Sequence, residues 1–474
     1  MFELQKVRSR AMSYLIAAVV AAALTTQAMA QLMPERLSPS EQFSYWLGEA
    51  ANAYNAGDTE AWVAATEKLH ELRPFNQDFM THLIQGYAQT DQTSKAFNMM
   101  LMMQQQGLAE DWSRFDELES LREHNLYEHL ADLMQKASEP FGQAQAHTVV
   151  PGRVSMPEAM AYDTATDRLF VGTVRDGAIY VQDDVQDDVQ DAGGDAGWSV
   201  FADGESVPDL MAVFGLAIDA ERNHLWVATG MASQYRHYSQ SSFGRTALIK
   251  LDLETGEHIA THRVIPDGRP HLLGAITVAS DGTVYATDSL MPLVYHLPPD
   301  ADNPRVFFGS AALSSLRGLA LNEELDKLYV ADYELGLMVL DTSGGQQAWR
   351  LAIPDTLNLG GIDGLYLSDN YLVAIQNGIS PERVLRLELG SDGLGVIAVA
   401  PIVAALETFD GPTYGAMNGS ELYFFANSHW QHVRSNGRPI KRPMPDVSIL
   451  KTDITNTEIQ VVGEEVMKRL QQGQ

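Results

Sequence analysis

Residues 278–286 read VASDGTVYA. This stretch contains the end of an apolar strand, an Asp-Gly turn and a second strand of β-branched and aromatic residues, which is typical of a β-hairpin. The pattern occurs six times after residue 156, and spacings of about 44 to 60 residues fit four-stranded blades with insertions. The copies lie at residues 161–171, 218–227, 278–286, 321–330, 367–374 and 417–425. We therefore predict a six-bladed β-propeller over residues 146–462, in which residues 146–150 complete the last blade.

Residues 35–140 show helical periodicity instead. Two stretches align with an offset of 33 residues, 53–58 against 86–91, and a helical pattern follows each of them. This resembles a tetratricopeptide-type array of helix–turn–helix repeats, whose period is about 34 residues. A third helical pair is predicted at residues 112–136. The predicted fold class is mainly β with an α-helical N-terminal domain. Such arrays commonly bind proteins on their concave face, so we expect a protein partner here; a domain that only caps the propeller is the alternative.

Residues 1–30 have the three parts of a secretory signal peptide. Lys6, Arg8 and Arg10 form a basic start, residues 14–24 are apolar, and residues 28–30 read AMA, the small-residue pattern of a cleavage site. The apolar run is shorter than the roughly 20 residues that a membrane-spanning helix needs. We expect cleavage before Gln31, a mature chain without a membrane span, and a periplasmic or secreted location.

The composition excludes several classes of function. The chain has 32 basic and 62 acidic residues and a formal net charge of −30, which disfavours binding to nucleic acid or to anionic membranes. It has no cysteine, which excludes disulfides, thiolate nucleophiles and thiolate-bound metals.

A candidate site follows from propeller geometry. The innermost strand of a blade starts on the face to which the second strand returns, so the residues at these two places surround the mouth of the central channel. The first-strand starts are predicted at Glu158, Gly215, Ala275, Arg317, Asp363 and Gly411. The second-strand ends are predicted at Thr173, Thr229, Asp288, Asp332, Asn377 and Asn427. The candidate ligand-binding residues are Arg317, Asp288, Asp332, Asn377, Asn427 and, in the following loop, Trp430.

Three stretches resemble the senescence-marker-protein (regucalcin)/gluconolactonase family of six-bladed propellers: residues 157–163, residues 281–289 and residues 363–365. The resemblance covers roughly residues 146–455. It implies lactone hydrolysis at a divalent cation, calcium or zinc, held by a Glu in blade one, an Asn in blade four and an Asp in blade five. It also implies a substrate-binding Asn in blade three. On this basis Glu158 and Asp363 would be metal ligands, and Asp363 would be the catalytic acid/base.

Two positions depart from that pattern. Arg317 stands at the blade-four position, and Gly274 and Ala275 at the blade-three position offer no side-chain ligand. A guanidinium has no acceptor and cannot bind a metal, whereas it neutralises carboxylates well. We interpret Arg317 as occupying the space of the cation, with a metal elsewhere on the rim as the alternative.

Two functions are compatible with these features. The first is an exported ligand- or protein-binding scaffold that lacks metal-dependent catalysis and needs no cofactor, with a small molecule or protein at the propeller mouth. The alternative is a metal-dependent lactonase or related hydrolase that uses calcium or zinc at Glu158 and Asp363.

Overall fold

A computed structural model describes residues 37–182, 197–344, 347–455 and 460–461. Over these ranges the chain divides into two compact units. The first comprises residues 37–104 and 111–133, and the second comprises residues 105–110 and the described residues from 134 onward. The predicted signal peptide, residues 1–30, lies outside the described residues. None of the helices within these ranges has the length and apolar composition of a membrane-spanning segment.

The first unit begins with four consecutive helices. Ser38 caps the first helix in a capping box with Glu41, and Pro39 occupies its first turn. Gly57, at φ 71°, ends the same helix in a left-handed conformation that favours glycine. The helices are α1 (Pro39–Ala56), α2 (Thr59–Leu72), α3 (Gln77–Gln89) and α4 (Thr93–Gln105). A helical N-terminal region ahead of the propeller, as predicted, is confirmed.

The predicted third helical pair is less regular than the first two. Two single 3₁₀ turns, at Trp112–Arg114 and Asp116–Leu118, precede the short helix α5 (Glu119–Arg122). A three-turn helix, α6 (Asn125–Lys136), follows. Trp112 and Leu118 are buried, so packing of these apolar side chains maintains the segment where regular helix is lost.

The second unit contains six antiparallel sheets of at least four strands, which confirms the predicted six-bladed β-propeller. Blade one consists of β3 (Pro157–Asp163), β4 (Arg168–Thr173), β5 (Ile179–Gln182) and β6 (Trp198–Ala202). Blade two consists of β7 (Ala212–Asp219), β8 (His224–Gly230), β9 (Thr246–Asp252) and β10 (His258–Arg263). Blade three consists of β11 (Leu273–Val278), β12 (Val284–Asp288), β13 (Leu293–Leu297) and β14 (Arg305–Gly309). Blade four consists of β15 (Leu316–Asn322), β16 (Lys327–Asp332), β17 (Gly336–Asp341) and β18 (Ala348–Arg350). Blade five consists of β19 (Ile362–Ser368), β20 (Tyr371–Gln376), β21 (Arg383–Leu389) and β22 (Val396–Ala404). Blade six consists of β23 (Gly415–Asn418), β24 (Glu421–Phe425) and β25 (Val447–Asp453), with β2 (Gln145–Val150) as its fourth strand.

The ring closes as predicted. Strand β2 pairs with β25 and so supplies the outermost strand of blade six from the N-terminal side of the propeller. Two short strands, β1 (Phe141–Gly142) and β26 (Gln460–Val461), add to β22 in blade five. Because the first and last parts of the unit share blades, the ring has no free end at which blades one and six could separate.

Apolar clusters between neighbouring blades form the core. Fully buried aromatic side chains such as Phe170, Tyr329 and Phe424 belong to the second strands of their blades. The six innermost strands surround a central cavity of about 330 Å³, which is lined mainly by small and aliphatic residues. Polar side chains at one end of these strands therefore surround the entrance to this cavity.

Candidate functional site

The innermost strand departs from regular pairing at the same place in successive blades. In blade one, Pro157 pairs with Thr173 but Ala159 pairs with Gly172, so that Glu158 is an extra residue in a β-bulge. The same register shift occurs in blades two to five. The residues within the shifts are Phe214, Gly274 with Ala275, Arg317 with Gly318, and Asp363. A bulge redirects a side chain, and here it places Glu158, Arg317 and Asp363 at equivalent positions at the channel mouth.

Blade six has the same bulge, but it lies at a different residue from the first-strand start that we assigned from the sequence. Thr413 N donates to Phe425 O and Phe425 N donates to Tyr414 O, so two residues again face one. The equivalent residue is Thr413 rather than Gly411, which lies in the preceding turn at φ 75°. The equivalent residues of blades two and three are likewise Phe214 and Gly274, each one residue before the predicted Gly215 and Ala275. The extra bulge residue caused these errors because strand periodicity alone does not reveal it.

Arg317 and Asp363 form an ion pair at the mouth. Arg317 Nε lies 3.4 Å from Asp363 Oδ1, with the two side chains 35% and 17% exposed. The guanidinium lies over the Tyr333 ring, 5.5 Å from its centroid. Burial opposes the charged form of Arg317, but the charge of Asp363 and the nearby phenols and carboxyl outweigh this effect and raise its pKa. Arg317 is therefore a permanent cation at the mouth.

Asp363 is fixed from its other side by an amide. Asn377 Nδ2 donates to Asp363 Oδ2 at 2.6 Å and to Pro412 O at 2.8 Å. Tyr333 OH in turn donates to Asn377 Oδ1 at 2.9 Å. Asn377, a predicted ligand-binding residue, thus contacts Asp363 and sets the orientation of its carboxylate.

Glu158 has a different environment from Asp363. It is buried, and its Oε2 accepts a hydrogen bond of 2.6 Å from Trp430 Nε1. Burial, together with the negative charge of Asp363, raises the pKa of Glu158 to about 8, although Trp430 and Arg317 oppose the shift. Glu158 is therefore largely protonated at neutral pH, and the mouth combines a neutral carboxyl group with an ion pair.

Three tyrosines that the sequence does not reveal as part of the site surround the carboxylates. Tyr333 follows β16, Tyr366 lies in β19 and Tyr414 precedes β23. Tyr366 OH accepts a hydrogen bond from Gly415 N at 2.5 Å. Burial and the charge of Asp363 raise the pKa of all three phenols, so they remain neutral donors or acceptors. Tyr366 and Tyr414 follow the bulge residues Asp363 and Thr413 closely, and Tyr333 directly follows the second strand of blade four. These positions were the only sequence signal, and they depend on a register that the sequence does not reveal.

Three other predicted ligand-binding residues have their polar atoms engaged by the protein. Asp288, fully buried, accepts from the backbone amides of Leu272, Leu290 and Met291 and contacts the His271 imidazole at 2.7 Å. Asp332, also fully buried, accepts from Ser314, Glu334 and Leu335. Asn427 Nδ2 donates a hydrogen bond to Asp446 O, and Asn427 Oδ1 accepts one from Ser448 N. These side chains order the loops at the strand ends, and we leave them out of the proposed ligand site.

The donor set does not fit a divalent cation. Glu158 Oε2 accepts from Trp430, and Asp363 is bonded by Asn377 and paired with Arg317. A guanidinium cannot be a ligand, and its charge repels a cation. Within the described ranges, no group of three or more His, Asp or Glu side chains is arranged to hold a metal ion. The carboxyl groups at this mouth are therefore already engaged by protein partners that a cation would have to displace.

The charge state of Glu158 predicts a pH effect on stability. Since its pKa rises from 4.5 to about 8 on folding, the folded state retains a proton that the unfolded chain releases between these values. Stability therefore falls as pH rises from about 4.5 to 8. We expect Glu158→Gln to reduce this fall, measured as the midpoint of urea unfolding between pH 5 and pH 8.5.

A second glutamate provides the control. Burial raises the pKa of Glu382 to about 7, against the hydrogen bond from Gly411 N, so it acts in the same direction but only up to about pH 7. Glu382→Gln should therefore reduce the fall mainly below pH 7, whereas Glu158→Gln should remove the larger part of the fall between pH 7 and pH 8. An identical slope in this interval for Glu158→Gln and the unmodified chain would contradict the assignment.

No protein-family model matches the chain, and no curated protein matches it. Among solved structures, it is similar to a gluconolactonase from Xanthomonas campestris, with 16% identity, 66% of this chain and 99% of that chain covered, and a TM-score of 0.42. It is also similar to a calcium-binding regucalcin from Agrobacterium tumefaciens, with 12% identity, coverage of 67% and 96%, and a TM-score of 0.43. An aldose sugar dehydrogenase from Streptomyces coelicolor in its PQQ-bound form has 15% identity, coverage of 66% and 99%, and a TM-score of 0.41. Likenesses at this level carry no argument about activity, and the six-bladed architecture rests on the strand pairing itself.

Proposed function

We propose that this chain is an exported binding or scaffold protein whose propeller binds a small anionic ligand at the channel mouth, without metal-dependent catalysis. The helical repeats would bind a protein partner. The proposal depends on the site around Arg317, because its guanidinium pairs with Asp363 and its charge also acts on Glu158, the two carboxyl groups that would otherwise have to hold a cation.

One observation carries the proposal: two of the equivalent bulge positions hold a buried polar atom without a partner. Arg317 Nε and Thr413 Oγ1 are both buried and form no hydrogen bond with the described protein, the 3.4 Å approach of Arg317 to Asp363 being outside hydrogen-bond geometry. Buried polar groups are nearly always bonded in folded proteins, so each such atom needs a partner. An anion at the mouth would satisfy the guanidinium and accept from the threonine hydroxyl.

The surroundings favour a carboxylate that also carries hydroxyl groups. A guanidinium binds carboxylates through paired hydrogen bonds. Glu158, neutral at pH 7, does not repel an anion and can donate to one. Trp430, 36% exposed, offers a flat apolar surface of the kind on which a sugar ring can pack. A sugar acid combines these features.

Isothermal titration with galacturonic acid, using neutral galactose as the control, tests this proposal. We expect saturable binding of the acid at pH 6.5, weaker binding above pH 8 because Glu158 becomes charged, and much weaker binding of galactose. Equal binding of the two sugars, or affinity that does not change between pH 6.5 and pH 9, would contradict an anion site beside a protonated Glu158.

The export and partner parts of the proposal need separate tests. N-terminal sequencing of the mature protein should begin at Gln31, and cell fractionation should place it outside the cytoplasm. In the helical unit, Tyr54 is 59% exposed although its ring packs edge-on against Trp62. We expect Tyr54→Ser to weaken the protein partner's binding, with Leu126→Ser, another exposed apolar position, as the control.

A hydrolase is the second candidate, and the raised pKa of Glu158 supports it. Glu158, with a pKa of about 8, retains a proton at neutral pH, and a protonated carboxyl group at the mouth can serve as a general acid. This candidate requires turnover of a lactone such as gluconolactone that Asp363→Asn abolishes. Absence of enzymatic turnover with a panel of lactones, or activity that survives Asp363→Asn, would exclude it.

A further inference from the structure

Residues 434–442 read RSNGRPIKR, with four cations and no acidic residue, in a chain with a formal net charge of −30. The chain has 32 basic residues among 474, about one in fifteen, whereas this segment has nearly one in two. Positive charge is therefore concentrated locally, in the loop between the second and third strands of blade six.

This segment is a fixed part of the surface. Gly437 N donates to Arg434 O at 2.8 Å and Arg434 N donates to Arg438 O at 2.9 Å, which closes a tight turn. Ser233 Oγ, from the corresponding loop of blade two, donates to Ser435 O at 3.0 Å. A β-carbon at Gly437 would lie 2.3 Å from Gln234 O, so only glycine fits where the two loops touch.

Two further arginines join the segment from neighbouring blades. Arg175, from the equivalent loop of blade one, donates to Gln234 O at 3.2 Å and to Asn436 O at 3.4 Å. Arg175 is half-buried, and Arg236, Arg438 and Arg442 are exposed. Burial and the positive charges of these three arginines lower the pKa of Arg175, with Asp176 opposing the shift. We refer to Arg175, Arg236, Arg438 and Arg442 as the cationic patch.

The cationic patch has little compensating charge. Asp176 pairs with Arg236, and its other oxygen accepts from Ser155 N at 3.0 Å. One carboxylate beside four guanidinium groups leaves a positive potential on an otherwise acidic protein. Such a potential attracts and concentrates anions.

The cationic patch lies on the face of the propeller that carries the mouth. The loop that contains Arg438 and Arg442 also contains Trp430, which donates to Glu158 at the mouth. Beneath the patch, an apolar cluster joins Val433 and Met444 of this loop to residues of blades one and two, including Phe214. Phe214 is the blade-two residue equivalent to Glu158. The apolar cluster that contains residues of the patch loop therefore also contains a residue of the mouth.

We propose that the cationic patch binds successive acidic groups of an acidic polysaccharide, one residue of which occupies the mouth. This inference rests on the proposed function, because it takes the sugar acid at Arg317 as one residue of a longer chain. A polysaccharide fits better than a nucleic acid, whose dense charge would extend over the acidic remainder of the protein. The exposed Trp430 at the edge of the mouth adds a surface for a sugar ring.

Titrations with a galacturonate oligomer and with the galacturonic acid monomer test the inference. We expect the double variant Arg438→Gln/Arg442→Gln to bind the oligomer at least tenfold more weakly, with unchanged affinity for the monomer. The matched control is Arg305→Gln/Arg350→Gln, which removes two exposed arginines from the outer strands of blades three and four and should change neither affinity. Oligomer binding should also weaken with rising salt more steeply than monomer binding, since more charge pairs form.

The possible outcomes are distinct. Unchanged oligomer affinity in the patch variant, or an equal loss of affinity in the control variant, would show that the cationic patch does not bind the oligomer. Tighter binding of a DNA duplex or of phosphatidylserine vesicles than of the oligomer, lost in the patch variant, would overturn the polysaccharide class. If the oligomer binds through the patch but the monomer does not bind, the patch stands and the small-ligand site at Arg317 fails.

Discussion

Arg317→Gln is expected to weaken galacturonic acid binding by about 10- to 100-fold at pH 6.5. The expectation follows from the loss of a charge-assisted hydrogen bond, which contributes roughly 1.5–3 kcal/mol. Arg317→Lys keeps the charge but loses the planar pair of donors, so it should recover only part of the affinity. Isothermal titration of the three proteins measures the effect.

Removal of Arg317 also leaves Asp363 without its ionic partner, which could change stability. The double variant Arg317→Gln/Asp363→Asn removes both charges and keeps an amide able to bond Asn377. We expect it to unfold at the same urea concentration as the unmodified chain, within error, and still to bind the acid weakly. Full affinity in either variant would show that the guanidinium does not contact the ligand.

Arg383→Met is expected to destabilise the propeller by about 3 kcal/mol, the range typical of breaking a buried polar network. Arg383 is 7% exposed, and its guanidinium donates to Gln376 Oε1, Gln106 O and Asn358 O at 2.8, 3.0 and 3.3 Å. Burial lowers the pKa of Arg383 to about 10. Methionine fills much of the volume but leaves three buried acceptors without this donor.

Urea unfolding of the second unit, followed by tryptophan fluorescence, measures this loss. Arg386→Met is the matched control, because Arg386 is 6% exposed but donates to Ile454 O and packs over the Tyr371 ring. Its replacement should cost less than that of Arg383. An Arg383 variant as stable as the unmodified protein would show that the hydrogen bonds of this side chain, including the one to Gln106 O, do not stabilise the propeller.

The propeller could be predicted because its signal is local. Each blade repeats an inner hairpin with a polar turn, such as Asp281-Gly282, between apolar strands, and this signal needs no knowledge of distant contacts. Closure by residues 146–150 followed from the same count of strands. The segment after α4 was harder, because its 3₁₀ turns depend on the burial of Trp112 and Leu118 rather than on a periodic pattern.

The site was only partly predictable. Glu158, Arg317 and Asp363 could be placed at the mouth, and the ion pair of Arg317 with Asp363 agrees with the chemistry of their side chains. Tyr414 could not, because the bulge in blade six shifts its register. The sequence also did not reveal that the carboxylates of Asp288 and Asp332 accept hydrogen bonds from loop backbone amides, since a polar residue at a strand end is typical both of a ligand site and of a turn.

Elemental analysis of the mature protein, after dialysis against calcium, zinc and manganese and then against buffer without metal, tests the central claim most directly. A guanidinium that pairs with Asp363 and whose charge acts on Glu158 predicts no stoichiometric metal in the unmodified protein. Arg317→Asn, analysed beside it, is the variant in which a metal could be gained. One equivalent of metal per unmodified chain, lost on Asp363→Asn, would contradict the account and identify the mouth as a metal site.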